Sequence, residues 1–246
     1  MIQKQLLRHT AKLRLPASAL YQQFSTKQTD DNKKLIKTSD FIHDRLYYPK
    51  TGYFSKPDVQ LGVLEEPIEF SKLFGYEDYI KVLEERYPEN AWLTPSEIFK
   101  PWYGMSIANY ISRCLDSYHR NDPLTRDKRV KIIEVGAGNG STAESILSYF
   151  KAFYPLQYKK MDFTIVEISP VMISRCRKML IKNHSSLMKS GQIRFVEQSF
   201  LDYSRRDDDL VFVLLLEVLD NMPHDRVYIV SRIGHFLCFL KSFWPV

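Results

Sequence analysis

Five residues in the middle of this chain have the types and spacing of a ligand-binding turn. Glu134 is followed by Gly136, Gly138 and Gly140 at alternate positions, and a second acid, Glu167, lies downstream. Alternate glycines permit positive φ angles and a close backbone approach, so such a turn can wrap a small ligand. A dinucleotide turn has the spacing G-x-G-x-x-G, but position 141 here is Ser. An acid just before the glycines instead suits a ligand with a cationic end. Glu167 ends an apolar run, where an ionised carboxylate can accept two donors such as a pair of ribose hydroxyls. A generic glycine-rich turn of another α/β fold, and a plain surface acid at position 167, are the alternatives. A third acidic group, Glu217 and Asp220, follows the apolar run 210–216.

The flanking segments must position these groups. Lys131 to Val135 is short, apolar and β-branched, and reads as a strand; Ser141 to Phe150 reads as the helix after the turn. Phe163 to Glu167 is a second strand, with residues 151–161 between them as a longer helix end and loop. Val171 to Ile181 forms a basic amphipathic helix, Ile193 to Glu197 a third strand, and Leu210 to Leu216 a fourth. The fourth is apolar on both faces, as a buried parallel strand is. Strands alternating with helices predict an α/β fold with a parallel sheet. Upstream, helices are expected over residues 40–48, 79–87 and 105–118, giving a mostly helical N-terminal region dense in aromatics and prolines.

The turn resembles motif I of class I S-adenosylmethionine-dependent methyltransferases, which have a Rossmann-like sheet. Several further segments make the resemblance more specific. They are Asp40-Phe41-Ile42, Tyr48-Pro49, Gly52-Tyr53-Phe54, Thr94-Pro95-Ser96-Glu97-Ile98, Val166-Glu167-Ile168-Ser169 and Glu217-Val218-Leu219-Asp220-Asn221-Met222-Pro223. In this order they are similar to the MidA-like family of mitochondrial methyltransferases, over about residues 38–230. The resemblance implies S-adenosyl-L-methionine as cofactor and an arginine in a subunit of respiratory complex I as methyl acceptor, modified during complex assembly. On this reading Gly136, Gly138 and Gly140 surround the methionine moiety, Glu134 faces its ammonium and Glu167 holds the ribose. Glu217 and Asp220 are the catalytic carboxylates, steering a guanidinium that such groups hold bidentately. A small-molecule methyltransferase and an inactive assembly or binding factor remain as alternatives.

Two departures stand out. Glu65 to Phe74 looks like an insertion. The class I sheet has strand order 3-2-1-4-5-7-6, and only the first four strands are found, so the sheet is expected to lack its last strands. Residues 231–246 match no family segment, with a hydrophobic C-terminal helix as the alternative.

Charge and composition bound the rest. The chain has 246 residues, 44% of them hydrophobic, enough for a sizeable core. Residues 1–29 carry Lys4, Arg8, Lys12, Arg14 and Lys27 without an acid, leaving about +1 of the total charge of +6 for the remainder. That balance argues against a nucleic-acid partner. The acid-free basic segment fits a mitochondrial transit peptide, and the matrix is the expected location. A disordered basic tail is the other reading. The expected organisation is residues 1–29 as leader, 30–128 as substrate-side region, 129–230 as methyltransferase core and 231–246 as an atypical tail. Three cysteines and six histidines are scattered without metal-ligand spacing, and only His224 lies near the expected site. No apolar run is long enough to span a membrane.

Overall fold

The computed structural model describes residues 35–56, 61–88, 91–92, 94–122, 125, 128–204, 210–225, 227–229, 239–241 and 243–245. The expected leader, residues 1–29, and most of the atypical tail lie outside them. The described residues fall into two compact units, one within 39–224 and one formed by the described residues of the chain ends, 35–38 with 225, 227–229, 239–241 and 243–245. The boundary expected at 128/129 falls inside the larger unit.

Seven helices and four strands of the larger unit position the site. The N-terminal half gives α1 (Thr38–Tyr47), α2 (Tyr76–Arg86), the single turn α3 (Pro95–Ile98) and α4 (Trp102–Asn121). The second half runs β1 (Lys131–Val135), α5 (Ser141–Phe153), α6 (Pro155–Lys160), β2 (Asp162–Glu167), α7 (Pro170–Lys189), β3 (Ile193–Glu197) and β4 (Val211–Leu215). The tract expected as a helix end and loop is a helix in its own right, started by Pro155 at its first turn. Helix α7 continues eight residues beyond its expected end at Ile181. His184, fully buried and non-helical at φ −128°, kinks it there, and the Tyr158 hydroxyl sits 2.9 Å from the His184 Nδ1.

The four strands are all parallel in the order β3-β2-β1-β4, the first four places of the expected class I sheet. Period-two alternation divides their side chains between two faces. Ile132, Phe163 and Ile165 face the larger core, with Ile111 and Leu115 of α4, Ile146, Leu147 and Phe150 of α5 and Leu180 of α7. Burial of each such side chain contributes about 1.5–3 kcal/mol, which fixes α5 against the sheet. Ile133, Val135 and Val166 face the other side, in a smaller cluster with Phe200, Tyr203 and Val218. Strand β4 is the least covered, with Val213 46% exposed, contrary to the expectation of full burial on both faces.

Residues 65–74, read as an insertion, help to build a third cluster. Ile68 is buried with Leu64 and Ile98, against Leu83 and Tyr87. In the smaller unit, Leu35–Lys37 pairs antiparallel with Phe243–Pro245, and Val227–Ile229 with Phe239–Lys241. These tail residues are therefore extended, not the hydrophobic helix weighed as the alternative. Among the described residues no helix is long and apolar enough to cross a membrane, and no group of three potential ligands could hold a metal.

Candidate active site

The carboxyl ends of β1, β2, β3 and β4 open into one cavity of about 610 Å³ within the larger unit. Its floor is the glycine turn. Gly136, Gly138 and Gly140 all have positive φ (66°, 54° and 89°), the region L side chains avoid. Their roles differ, however. Gly136 and Gly138 line the cavity, whereas Gly140 does not; a Cβ there would stand 2.6 Å from the Cys176 sulfur of α7. Gly140 thus serves the close approach of turn and helix, and stands off the wall formed by Gly136 and Gly138. Gly140→Ala should destabilise the protein by about 1–3 kcal/mol through strain and overpacking. Ligand-free thermal melting checks this, and an unchanged midpoint would refute it.

Glu134 and Glu167 converge as expected, and register explains why. Glu134 pairs with Ile165, so Glu167 lies two residues further along the adjacent strand on the same face. Both are buried, at 3% and 8% exposure. Burial, and then the neighbouring Glu167, push the Glu134 carboxyl up to about 8. Burial also raises Glu167, opposed by backbone N–H groups of Ser169, Gly138 and Ile168. The Ser169 N–H donates to Glu167 Oε1 at 3.0 Å, and Gly138 N–H lies 3.4 Å from Oε2. The second oxygen of Glu134 is buried without a hydrogen-bond partner among the described residues. Such an orphaned acceptor is costly unless a ligand donor meets it.

The acceptor carboxylates part company. Glu217 is exposed, lines the cavity and holds a left-handed φ of 51°. Asp220 is exposed and off the cavity wall, where Asn221, Met222 and Pro223 stand instead. The α1 helix braces this loop, because the Tyr47 hydroxyl donates to the Asn221 carbonyl at 2.8 Å and the Asn221 amide donates to the Glu217 carbonyl at 3.0 Å. Burial first, then the Glu167 and Asp220 charges, raise the Tyr47 phenol. His224 is exposed and off the wall, with its ring nitrogen 2.7 Å from the Met222 carbonyl; His43 lines the cavity in its place.

Several wall residues were not among the expected site residues. His43 and Tyr47 share a face of α1 by their i, i+4 spacing. Tyr47, Phe54, Tyr53 and Trp92 form a chain of rings with centroids 5.7, 5.3 and 6.0 Å apart. The stretch Gln198 to Asp202 lines the wall after β3, where a parallel sheet places ligands, and that rule was the available signal. Glu97 and Asn139 also line the wall.

Sheet order, glycine turn and paired strand-end acids together define a class I methyltransferase fold. A COG-type superfamily member from Burkholderia thailandensis, described as a candidate methyl transferase and crystallised with S-adenosyl-homocysteine, has this fold. It superposes with a TM-score of 0.54 at 20% identity, over 94% of this chain and 49% of that one. A candidate class I S-adenosylmethionine-dependent methyltransferase from Listeria monocytogenes is 15% identical over 72% of this chain and 49% of that one, at a TM-score of 0.34. The non-reducing polyketide synthase mapC of Penicillium roqueforti (strain FM164) is 30% identical over 89 residues, 36% of this chain and 3% of the synthase. The chain thus spans about half the length of the Burkholderia protein and a small part of the synthase.

Residues 106–236 match methyltransferase family 28, described as candidate S-adenosyl-L-methionine-dependent methyltransferases, and the chain belongs to that family. The match runs to residue 236, beyond residue 230, where the resemblance was expected to end.

Proposed function

We propose that the chain is an S-adenosylmethionine-dependent methyltransferase acting on an arginine of a respiratory complex I subunit, in the mitochondrial matrix. The observation that carries the reading is the charge of the cavity. Glu167, Asp202 and Glu217 line it with Glu134, which burial keeps protonated until a cation meets it, and with Glu97, which is paired to Lys100; no Lys or Arg lines it among the described residues. A low-dielectric cleft of one sign favours a cationic ligand and a cationic acceptor. The orphaned Glu134 oxygen and the bare backbone of Gly136 and Gly138 on the cavity wall fit the cofactor.

S-Adenosylmethionine supplies an electrophilic methyl group when bound. Glu134 meets a cation at the turn, and Glu167 offers its less engaged oxygen to hydroxyl donors. Glu217 holds the guanidinium by charge-assisted hydrogen bonds, and the ring chain of Tyr47, Phe54 and Trp92 excludes water. No strong base is needed among these residues; orientation of the acceptor nitrogen supplies much of the rate. Asp220, off the wall, contributes its field through the Tyr47 side.

The family resemblance in the segments around Gly52, Glu97 and Glu217 supports the complex I acceptor, and the acid-free residues 1–29 support the location. A small-molecule acceptor is the second reading, favoured by the stretch shared with the polyketide synthase. The discriminating experiment expresses the tagged chain, or its Glu167→Ala variant, in cultured eukaryotic cells that lack the endogenous protein. Mitochondria are fractionated and complex I peptides are analysed by mass spectrometry. The expected result is matrix location and a methylated arginine present only with the unmodified chain. A cytosolic chain, or methyl label found only in small molecules, refutes the proposal.

A further inference from the structure

One buried carboxylate outside the paired acids ties together the floor and a wall of the cavity. Glu97, at 1% exposure, is the third residue of α3. Its Oε1 accepts the Leu64 N–H at 2.7 Å and the Lys100 ammonium at 2.6 Å. Its Oε2 accepts the hydroxyl of Ser141, the first residue of α5 and the one that follows Gly140. Lys100 also donates to the Leu64 carbonyl, so both backbone polar groups of Leu64 are held by this ion pair.

A second tether lies two residues back. The Asn139 side-chain amide donates to the Gly62 carbonyl at 3.2 Å, and the Gly62 N–H donates to the Trp92 carbonyl at 3.1 Å. The strap Leu61 to Leu64 is thereby fixed over the turn. The Leu61 Cδ1 would stand 3.0 Å from a Cβ at Gly138, which makes Leu61 the wall facing that glycine.

We propose that Glu97 is a positioning residue for the cofactor, setting the glycine turn through Ser141 and the Leu61 wall through Leu64. The inference rests on the cofactor reading above and holds for any methyl acceptor. Stability alone does not account for the group. The Leu64, Ile68 and Ile98 cluster already buries this corner, and buried ion pairs are seldom better for stability than apolar side chains. A carboxylate bound by three donors, by contrast, has one geometry, and it transmits that geometry to both sides of the cavity.

The test uses the full chain, with S-adenosylhomocysteine as probe in calorimetric titration and melting measured without ligand. Glu97→Gln and Ser141→Ala are each expected to bind about tenfold more weakly, the scale of one buried hydrogen bond lost. The double variant should bind no more weakly than the weaker single one, because both changes break the same link. Either folded single variant binding like the wild type overturns the proposal. So do additive losses, or a lowered melting point with unchanged affinity of the folded protein, the signature of a purely structural role. Should Glu97→Gln fail to fold, Ser141→Ala decides alone, since it removes only a hydroxyl. Absence of binding by the wild type would instead overturn the cofactor reading itself.

Discussion

Replacing Glu167 with alanine is expected to weaken S-adenosylmethionine binding about ten- to a hundredfold, the equivalent of roughly 1–3 kcal/mol for buried hydrogen bonds left unmade. The carboxylate stands at the end of β2, facing the cavity on the same sheet face as Glu134. The fold should survive, because two effects oppose each other. The Ser169 and Gly138 N–H groups lose an acceptor, which destabilises. A desolvated carboxyl next to a second one is also removed, which stabilises. Melting near the wild-type temperature with weakened binding in calorimetry is the expected pair of results. Undiminished affinity would remove Glu167 from the cofactor site.

What the sequence disclosed about this site follows from how local each signal is. The glycine turn, both strand-end acids and the strand order 3-2-1-4 depend on patterns within a few residues, on sheet register and on family resemblance. All of them appear in the structure. The separate place of Gly140 was not legible because a glycine needed for φ and one needed for ligand approach look alike in sequence; only the Cys176 sulfur beside it tells them apart. Asp220 was grouped with Glu217 through the family segment Glu217 to Pro223, but across the single 3₁₀ turn Leu219–Asn221 only Glu217 stays on the cavity wall. Glu97 needed contacts across 33 and 44 residues to acquire its meaning. The packing role of segment 65–74 was hidden because its one deeply buried residue, Ile68, shows no period of its own. Long-range partners of this kind are invisible to periodicity, whatever the quality of the local pattern.

The pH dependence of binding should be the largest effect of all, and it originates at Glu134. Burial and the adjacent Glu167 hold its carboxyl at about 8 in the ligand-free protein, against about 4.3 for a glutamate in an unfolded chain. As pH rises from about 4 to 8, the unfolded chain releases a proton that the folded chain retains. The stabilising contribution of this group is therefore complete below about pH 4 and is lost progressively towards pH 8. Binding has the opposite sign. A cation beside Glu134 favours only the ionised form, so at neutral pH the carboxyl must release its proton as the ligand binds. Affinity should then rise by up to about tenfold per pH unit between pH 6 and 8. Above about pH 8 the rise should cease, as Glu134 is already ionised and an α-amino group of the ligand begins to lose its own proton. Glu134→Gln should flatten the rise and gain stability over the wild type at alkaline pH, since no buried charge forms. Glu167→Ala should shift the rise to lower pH by removing the like charge. Titrations in buffers of different protonation enthalpy count the released protons directly. Equal proton release by the wild type and Glu134→Gln would show that the titrating group lies elsewhere, and that the orphaned oxygen of Glu134 is not where the cation sits.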